Sequence, residues 1–207
     1  MARIWSGCKR CRKTGEKLCS NATTCALNRS PLTPGQHGKK HSAIKLSEYG
    51  KQLREKQKAK FLYGLHERQF RRFFEMASKA KGITGEELLN LLERRLDNVL
   101  FRLKLATSRT QARQMIVHGH ILINNERVKT PSYLVKIGDE ISLSEKTRSL
   151  ELFMQNAVDK RLNIGIKVPE WLELRKQEYK GIVLRFPQRL DVKVPLEEHL
   201  IVELYSK

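Results

Sequence analysis

The chain has 207 residues, with 41 Lys and Arg against 22 Asp and Glu, a formal net charge of +19 and a sequence pI near 10.0. That balance excludes an acidic or neutral small-molecule enzyme as the default reading and points to a polyanionic partner. With 40% hydrophobic residues the chain can bury a core, so a wholly disordered basic tail is excluded, and no apolar run approaches the roughly 18 residues of a membrane span.

The first residues, Met1-Ala2-Arg3-Ile4-Trp5, carry neither the apolar region of a secretory signal nor the Arg- and Ser-rich character of an organellar presequence, so a cytosolic protein is expected. In that compartment four cysteines read as thiolate ligands rather than disulfides. They are Cys8, Cys11, Cys19 and Cys25, spaced C-x2-C-x7-C-x5-C. A Cys-x2-Cys pair delivers two thiolates to one ion from a single turn, and a second pair closes a tetrahedral sulfur shell with no open position. The expected metal is a structural zinc, with an iron–sulfur cluster as the alternative. The segment has too few apolar residues to fold without such a staple. Lys9, Arg10, Arg12 and Lys13 offset the thiolate charge.

From Ser30 to His41 two prolines and two glycines forbid regular structure and leave a basic linker. His37 and His41 read as polyanion contacts or plain surface. Residues 1–72 hold 18 basic and 4 acidic side chains, against 23 and 18 in the remainder. Such asymmetry describes a nucleic-acid-facing arm joined to more balanced folded parts.

Ser47 opens a helical stretch in which Leu46, Tyr49 and Leu53 form the expected apolar stripe. A second helix is expected over about His66 to Lys79. There Arg68, Arg71 and Arg72 share one face, while Phe70, Phe73, Phe74 and Met76 supply the apolar side. Thr84-Gly85-Glu86-Glu87 has the form of a capping box before an apolar run. Leu88, Leu91, Leu92, Leu96, Val99, Leu100 and Leu103 continue at helical spacing, with Asp97-Asn98 read as a break or as the wet face. Ser108-Arg109-Thr110-Gln111 is a second capping box, starting a helix that ends at Gly119 and carries Arg109 and Arg113 on its outer face. Strands are expected at Ile121-Leu122-Ile123, Arg127-Val128, Tyr133-Leu134-Val135 and Ile141-Ser142-Leu143, with turns at Asn124-Asn125 and Gly138-Asp139. The helix pair then lies on a small sheet, with a basic face of Arg109, Arg113, His118, His120 and Lys129. Near the C-terminus, Leu196, Leu200, Ile201 and Leu204 line one side of a helix expected to dock back on residues 46–92.

Arg95-Leu96-Asp97, Ser108-Arg109, Ala112-Arg113-Gln114, His118-Gly119-His120, Asn124 and Pro131-Ser132 together resemble the RNA-binding module named after ribosomal protein S-four. The cysteine cluster followed by Pro34-Gly35-Gln36-His37-Gly38 is similar to the N-terminus of bacterial members of the S-four family. Pro169-Glu170-Trp171-Leu172, Gly181, Pro187-Gln188-Arg189-Leu190-Asp191 and the segment from Leu200 to Lys207 are similar to their C-terminus. Lys104-Leu105 stands where a Gly-Phe pair is common in the family, and Gln188 departs from its usual charged pattern.

The resemblance implies a structural component of the small (30S) ribosomal subunit that binds 16S rRNA and nucleates assembly of the 5′ domain. It implies contact with the small-subunit protein S-five, an interface linked to decoding accuracy. It also implies a position near the channel by which mRNA enters, with no membrane and no catalysis. The implied fold is α+β. A four-cysteine, metal-binding basic arm occupies residues 1–45, and a helical domain residues 46–92 with 190–207. A mixed domain, residues 93–189, holds the module at about 93–155, with its helix pair on a small, mostly antiparallel sheet. Expected RNA contacts are Arg3, Lys9, Arg10, Arg12, Lys39, Lys40 and Lys45 in the arm, Arg54, Arg68, Arg71 and Arg72 in the helical part, and Arg109, Arg113, His118, His120 and Lys129 in the module.

The alternative is an RNA-modifying enzyme such as a pseudouridine synthase, in which this module recurs and the catalytic aspartate sits in an Arg-Leu-Asp motif. The chain has two such motifs, Arg95-Leu96-Asp97 and Arg189-Leu190-Asp191. Asp97 reads as a wet-face charge on a leucine-periodic helix and Asp191 as a turn cap. Too few residues remain beyond the module for a separate catalytic domain.

Overall fold

The computed structural model describes residues 7–18, 25–29, 32–35, 46–149, 168–192 and 196–206. In chain order the helices are α1 (Gly7–Thr14), α2 (Ala26–Arg29), α3 (Glu48–Tyr63), α4 (Glu67–Ser78), α5 (Thr84–Glu93), α6 (Leu96–Arg102), α7 (Arg109–Val117), α8 (Glu145–Arg148) and α9 (Glu198–Ser206). The strands are β1 (Ile121–Ile123), β2 (Glu126–Arg127), β3 (Glu140–Leu143), β4 (Leu172–Arg175) and β5 (Lys180–Val183), and a 3-10 turn spans Arg189–Asp191. The chain forms two compact units, residues 1–76 with 194–207, and residues 77–193. The division differs from the expected one. Helix α5 lies in the second unit because it packs with α6 and with the 3-10 turn, and the arm belongs to the same unit as α3.

In the first unit Ser47 caps α3, its Oγ accepting from the Gly50 amide at 3.2 Å. The buried face of α3 is not the expected stripe. Tyr49 is 58% exposed, whereas Gln52, Glu55 and Lys58 are buried. The reason is α9, which lies along this face as expected of the C-terminal segment. Gln52 Nε2 donates to Glu203 at 2.9 Å, and Glu55 accepts from the Glu197 amide at 3.2 Å. Lys58 pairs with Glu16 at 2.6 Å and with Glu55 at 3.3 Å. Tyr205 stacks on Phe74 with ring centroids 4.5 Å apart and donates its hydroxyl to Glu67 at 3.0 Å. Partial burial pushes the Glu67 carboxyl up, but hydrogen bonds from Lys56 (2.6 Å), Lys60 (2.8 Å) and Tyr205 outweigh it and bring the pKa to about 2. The carboxylate that anchors the tail is therefore ionised at any ordinary pH.

In the second unit the sheet order is β2-β1-β3-β5-β4 and all its pairs are antiparallel. Asn124 (φ 50°) and Asn125 (φ 67°) close the β1–β2 hairpin in the left-handed region that asparagine tolerates. Tyr133-Leu134-Val135, expected as a strand, contributes only an isolated bridge between Leu134 and Arg95. Strand β3 pairs instead with β5, from the β4–β5 hairpin, as well as with β1. The core joins α6 and α7 to the sheet through Leu96, Leu100, Leu103, Ile116, Ile121, Ile141 and Trp171. A Cβ on Gly181 would stand 2.3 Å from Leu103 Cδ1, so any larger residue there would force the buried leucine to move. The leucine-periodic run is two helices, interrupted at Arg94 and Arg95. Thr84 is the first residue of α5 rather than its cap, which is Ile83 without a side-chain bond.

Three helices end in the same Schellman geometry. After α3, Gly64 (φ 64°) donates to Phe61 O and Leu65 to Lys60 O. After α7, Gly119 (φ 74°) donates to Ile116 O and His120 to Met115 O. After α6, Lys104 (φ 63°) donates to Phe101 O and Leu105 to Leu100 O. Only the third places a side chain in the left-handed region, at the position where the family pattern has glycine. Lys104→Gly is therefore expected to stabilise the protein by roughly 1 kcal/mol. A denaturant titration showing no gain would mean that the buried lysine stem makes up the difference.

Candidate nucleic-acid interface

On α4 the helical repeat puts Arg68, Arg71 and Arg72 on one exposed face and buries Phe70 and Phe73 on the other. Met76, expected on the apolar side, is exposed. Arg71 meets Glu75 at 3.3 Å, a solvated i,i+4 pair that a phosphate can displace. Arg54 on α3 is exposed. Lys56 and Lys60 are committed to Glu67.

In the arm Lys9 is exposed, but Arg10 and Arg12 are engaged within the protein. Arg10 Nη1 donates to the Phe61 carbonyl at 3.2 Å, and its guanidinium lies 4.9 Å from the Phe61 ring centroid. Burial lowers its pKa to about 10, so it is still a cation, acting as a strut from α1 to α3. Arg12 Nε donates to Leu32 O at 2.9 Å and ties α1 to the linker. Arg3, Lys39, Lys40 and Lys45 lie outside the described residues.

In the second unit the expected basic face rests on a buried polar network. Asp97 is 1% exposed, which corrects its reading as a wet-face charge. Arg95 grips it with Nε on Oδ1 (3.1 Å) and Nη2 on Oδ2 (2.8 Å). Arg113, from α7, places Nε (2.9 Å) and Nη2 on the same Oδ2. Asn98, also buried, accepts from Arg109 Nε at 2.8 Å and donates to the carbonyl and the carboxylate of Glu93 at 3.0 and 2.7 Å. Arg102 forks the same Glu93 carboxylate at 2.9 and 2.6 Å. Arg109 also lies 4.5 Å over the Phe101 ring. The two α7 arginines thus do not simply point outward, because α6 side chains hold each of them at its base.

Ser108 caps α7 with Oγ on the Gln111 amide at 3.2 Å. The reciprocal arm of the expected box is shifted by one residue, since Gln111 Oε1 accepts from the Thr107 amide at 2.6 Å. His118 and Lys129 are exposed. His120 is half-buried with Nδ1 2.8 Å from Thr147 Oγ1. Burial first, then the charges of His118 and Arg127, push its pKa down, so its imidazole is neutral at pH 7 and is not a cationic contact. Arg127, exposed on β2, adds a cation that the sequence reading passed over. Asp191 caps its turn as expected. It accepts from the Gln188 amide at 2.8 Å, and a fork from Arg185 (2.6 and 2.9 Å) leads the causes that lower its pKa.

Of the four cysteines, Cys11 on α1 and Cys25 just before α2 are buried, and α1 packs on α2. The Leu18 amide donates to Cys11 Sγ at 3.2 Å. Cys19 and the side chain of Cys8 lie outside the described residues, and among the described residues no group of three or more His, Cys, Asp or Glu side chains gathers as a metal site. Likewise, among the described residues, no helix is long and apolar enough to cross a membrane.

The sequence profile of the ribosomal protein S4/S9 N-terminal domain matches residues 4–93, and that of the S4 domain matches residues 94–141. A protein of Thermoanaerobacter sp. (strain X514) is 52% identical over 205 residues, covering 97% of this chain and 96% of its own length. One from Acetivibrio thermocellus is 52% identical over 207 residues (98% and 97%), and one from Thermus thermophilus is 49% identical over 205 residues (97% and 96%). All three carry the name small ribosomal subunit protein uS4.

Proposed function

The chain belongs to the uS4 family of ribosomal proteins, and from that premise we infer that it is a structural, non-enzymatic component of the small subunit of the cytoplasmic ribosome that binds 16S rRNA. The observation that carries the RNA-binding geometry is the row of exposed guanidiniums on α4, Arg68, Arg71 and Arg72, in a chain of net charge +19. A-form RNA hides most base edges, so such cations read phosphate positions and the shape of a multi-helix junction.

The modifying-enzyme alternative is not favoured. A catalytic aspartate must reach its substrate, yet Asp97 is buried beneath two guanidiniums and Asp191 is occupied by Arg185 and a turn amide.

The finer reading has three parts. The RNA target is a helix junction in the 5′ domain. Protein S-five and mRNA near its channel are neighbours. Cys8, Cys11, Cys19 and Cys25 hold a structural zinc whose chemistry is confined to fixing the arm. The family resemblance supports the first two. Two buried cysteines, one of them accepting an amide hydrogen bond, support the third.

Replacing Arg68, Arg71 and Arg72 together by alanine is expected to weaken binding to a 5′-domain transcript and to flatten its salt dependence by about two to three counterions. Filter binding over a salt series reads both. An unchanged slope would remove α4 from the interface.

A further inference from the structure

We propose that Asp97 is a positioning residue for RNA binding. Its buried carboxylate, braced by Arg95, holds the Arg113 guanidinium in one orientation on the outer edge of the α6–α7 pair, and Asn98 does the same for Arg109. The inference rests on the reading of α7 as an RNA-facing helix, and it gives the first Arg-Leu-Asp motif a role other than catalysis.

A leucine-periodic helix has no packing need for a carboxylate at a position that is 1% exposed. Buried ion pairs are commonly no better for stability than apolar residues of the same volume. What this pair supplies is geometry. Nε and Nη2 of Arg113 both donate to the one oxygen Oδ2, a chelate that holds the Nε–Nη2 edge of the guanidinium against the carboxylate. Arg95 takes Oδ1 through Nε and shares Oδ2 through Nη2, and the Asp97 amide is anchored on the Pro131 carbonyl at 3.2 Å. The Arg113 side chain is still 19% exposed, so its outer edge stays at the surface. One turn earlier, Arg109 is held by Asn98 at 2.8 Å and by the Phe101 ring, and Asn98 is itself fixed by Glu93. An arginine normally surrenders much rotamer freedom when it grips a phosphate. Two arginines ordered before the RNA arrives have already given it up.

Charge alone predicts the opposite sign. Removing a carboxylate beside a phosphate-binding surface should strengthen RNA binding by Coulomb's law. Here it releases the arginine and should weaken binding.

The test uses the full-length protein and a transcript of the bacterial 16S rRNA 5′ domain, with a transfer RNA transcript as the non-specific comparison, titrated over a salt series. Asp97→Asn is expected to lose roughly five- to tenfold in affinity and about one counterion of salt slope, although its net charge rises by one. The double variant Asp97→Asn with Arg113→Ala should bind like Arg113→Ala alone, since the positioning acts through Arg113. Binding by Asp97→Asn that equals or exceeds wild type, or losses that multiply in the double variant, would overturn the proposal. If Asp97→Asn melts below the assay temperature, Arg113→Lys asks the same question with charge unchanged and Asp97 still neutralised. A similar loss supports positioning, and wild-type binding overturns it. Wild type that does not prefer the 5′-domain transcript defeats the function proposed above and this inference with it. Wild type that prefers the transcript while Arg113→Ala has no effect defeats this inference alone.

Discussion

With zinc held by Cys8, Cys11, Cys19 and Cys25 as proposed, a chelator under reducing conditions is expected to open residues 7–18 and 25–29 to trypsin while the rest of the protein keeps its structure. Helices α1 and α2 have eight and four residues, too short to persist by themselves. Among the described residues of this segment the buried hydrophobic ones are Cys11, on α1, and Cys25, just before α2. The links to α3, from Arg10 to Phe61 and from Glu16 to Lys58, are partly solvated, and such contacts contribute on the order of 1 kcal/mol each. A four-thiolate zinc site contributes roughly 10–16 kcal/mol in small zinc domains, so a zinc held as proposed would dominate the arm's stability. Helices α3, α4 and α9 bury Phe61, Tyr63, Phe70, Phe73 and Ile201 without it. Rapid cleavage after Lys9, Lys13 and Lys17, a small loss of helical circular dichroism and recovery on adding zinc are the expected results. RNA affinity should fall about tenfold and the salt slope should fall with it, because cations that lose their arrangement lose phosphate contacts even though the charges remain. Unchanged resistance to trypsin would show that no metal supports the arm. Loss of all secondary structure would show that the arm supports the rest.

What could be read from the residues and what could not divides along a physical line. Local chemistry was legible. Ser47 and Ser108 accept amides three residues away, Asn124-Asn125 adopts positive φ, and Asp191 closes its own turn. These features depend on neighbours close along the chain. The docking of α9 was legible because an apolar stripe must be covered. Asp97 and Asn98 were not legible as buried residues. Their burial is set by Arg113 and Arg109, sixteen and eleven positions away, and periodicity counts a polar residue as solvent-facing whatever its partners. The buried face of α3 failed for the same reason, since Gln52 and Glu55 are sheltered by Glu203 and the Glu197 amide, 151 and 142 positions downstream, on or just before α9. The segment 133–135 has the apolar composition of a strand, but both edges of β3 are taken, by β1 and β5. In the candidate interface, residue type singled out the arginines but said nothing of whether each is exposed, as on α4, or clamped, as on α7 and α1.

The second large expected effect is Trp171→Ala, which should destabilise the unit of residues 77–193 by about 3–5 kcal/mol. Trp171 is 1% exposed and is the largest of the fully buried side chains among the described residues. It stands immediately before β4, with its carbonyl accepting from the Leu184 amide at 3.0 Å, so its ring and its backbone both fasten the β4–β5 hairpin. That hairpin is what β3 pairs with, through Glu140↔Ile182 and Ile141↔Gly181, and Gly181 in turn lies against Leu103 at the end of α6. A void under the hairpin therefore loosens the platform of the helix pair that carries Arg109 and Arg113. Native domains have roughly 5–15 kcal/mol in all, so this one truncation removes a large share of the unit's stability. At about 2–8 °C per kcal/mol the unit's melting transition should fall by more than about 6 °C. Trp171→Phe, which leaves a smaller void, should lose much less. At low temperature, where the alanine variant is still folded, RNA affinity should be near wild type, since a buried indole offers nothing to a phosphate. A melting shift under about 3 °C would show that the hairpin is held elsewhere. A loss of RNA binding in the folded variant would show that the orientation of the helix pair depends on this core residue.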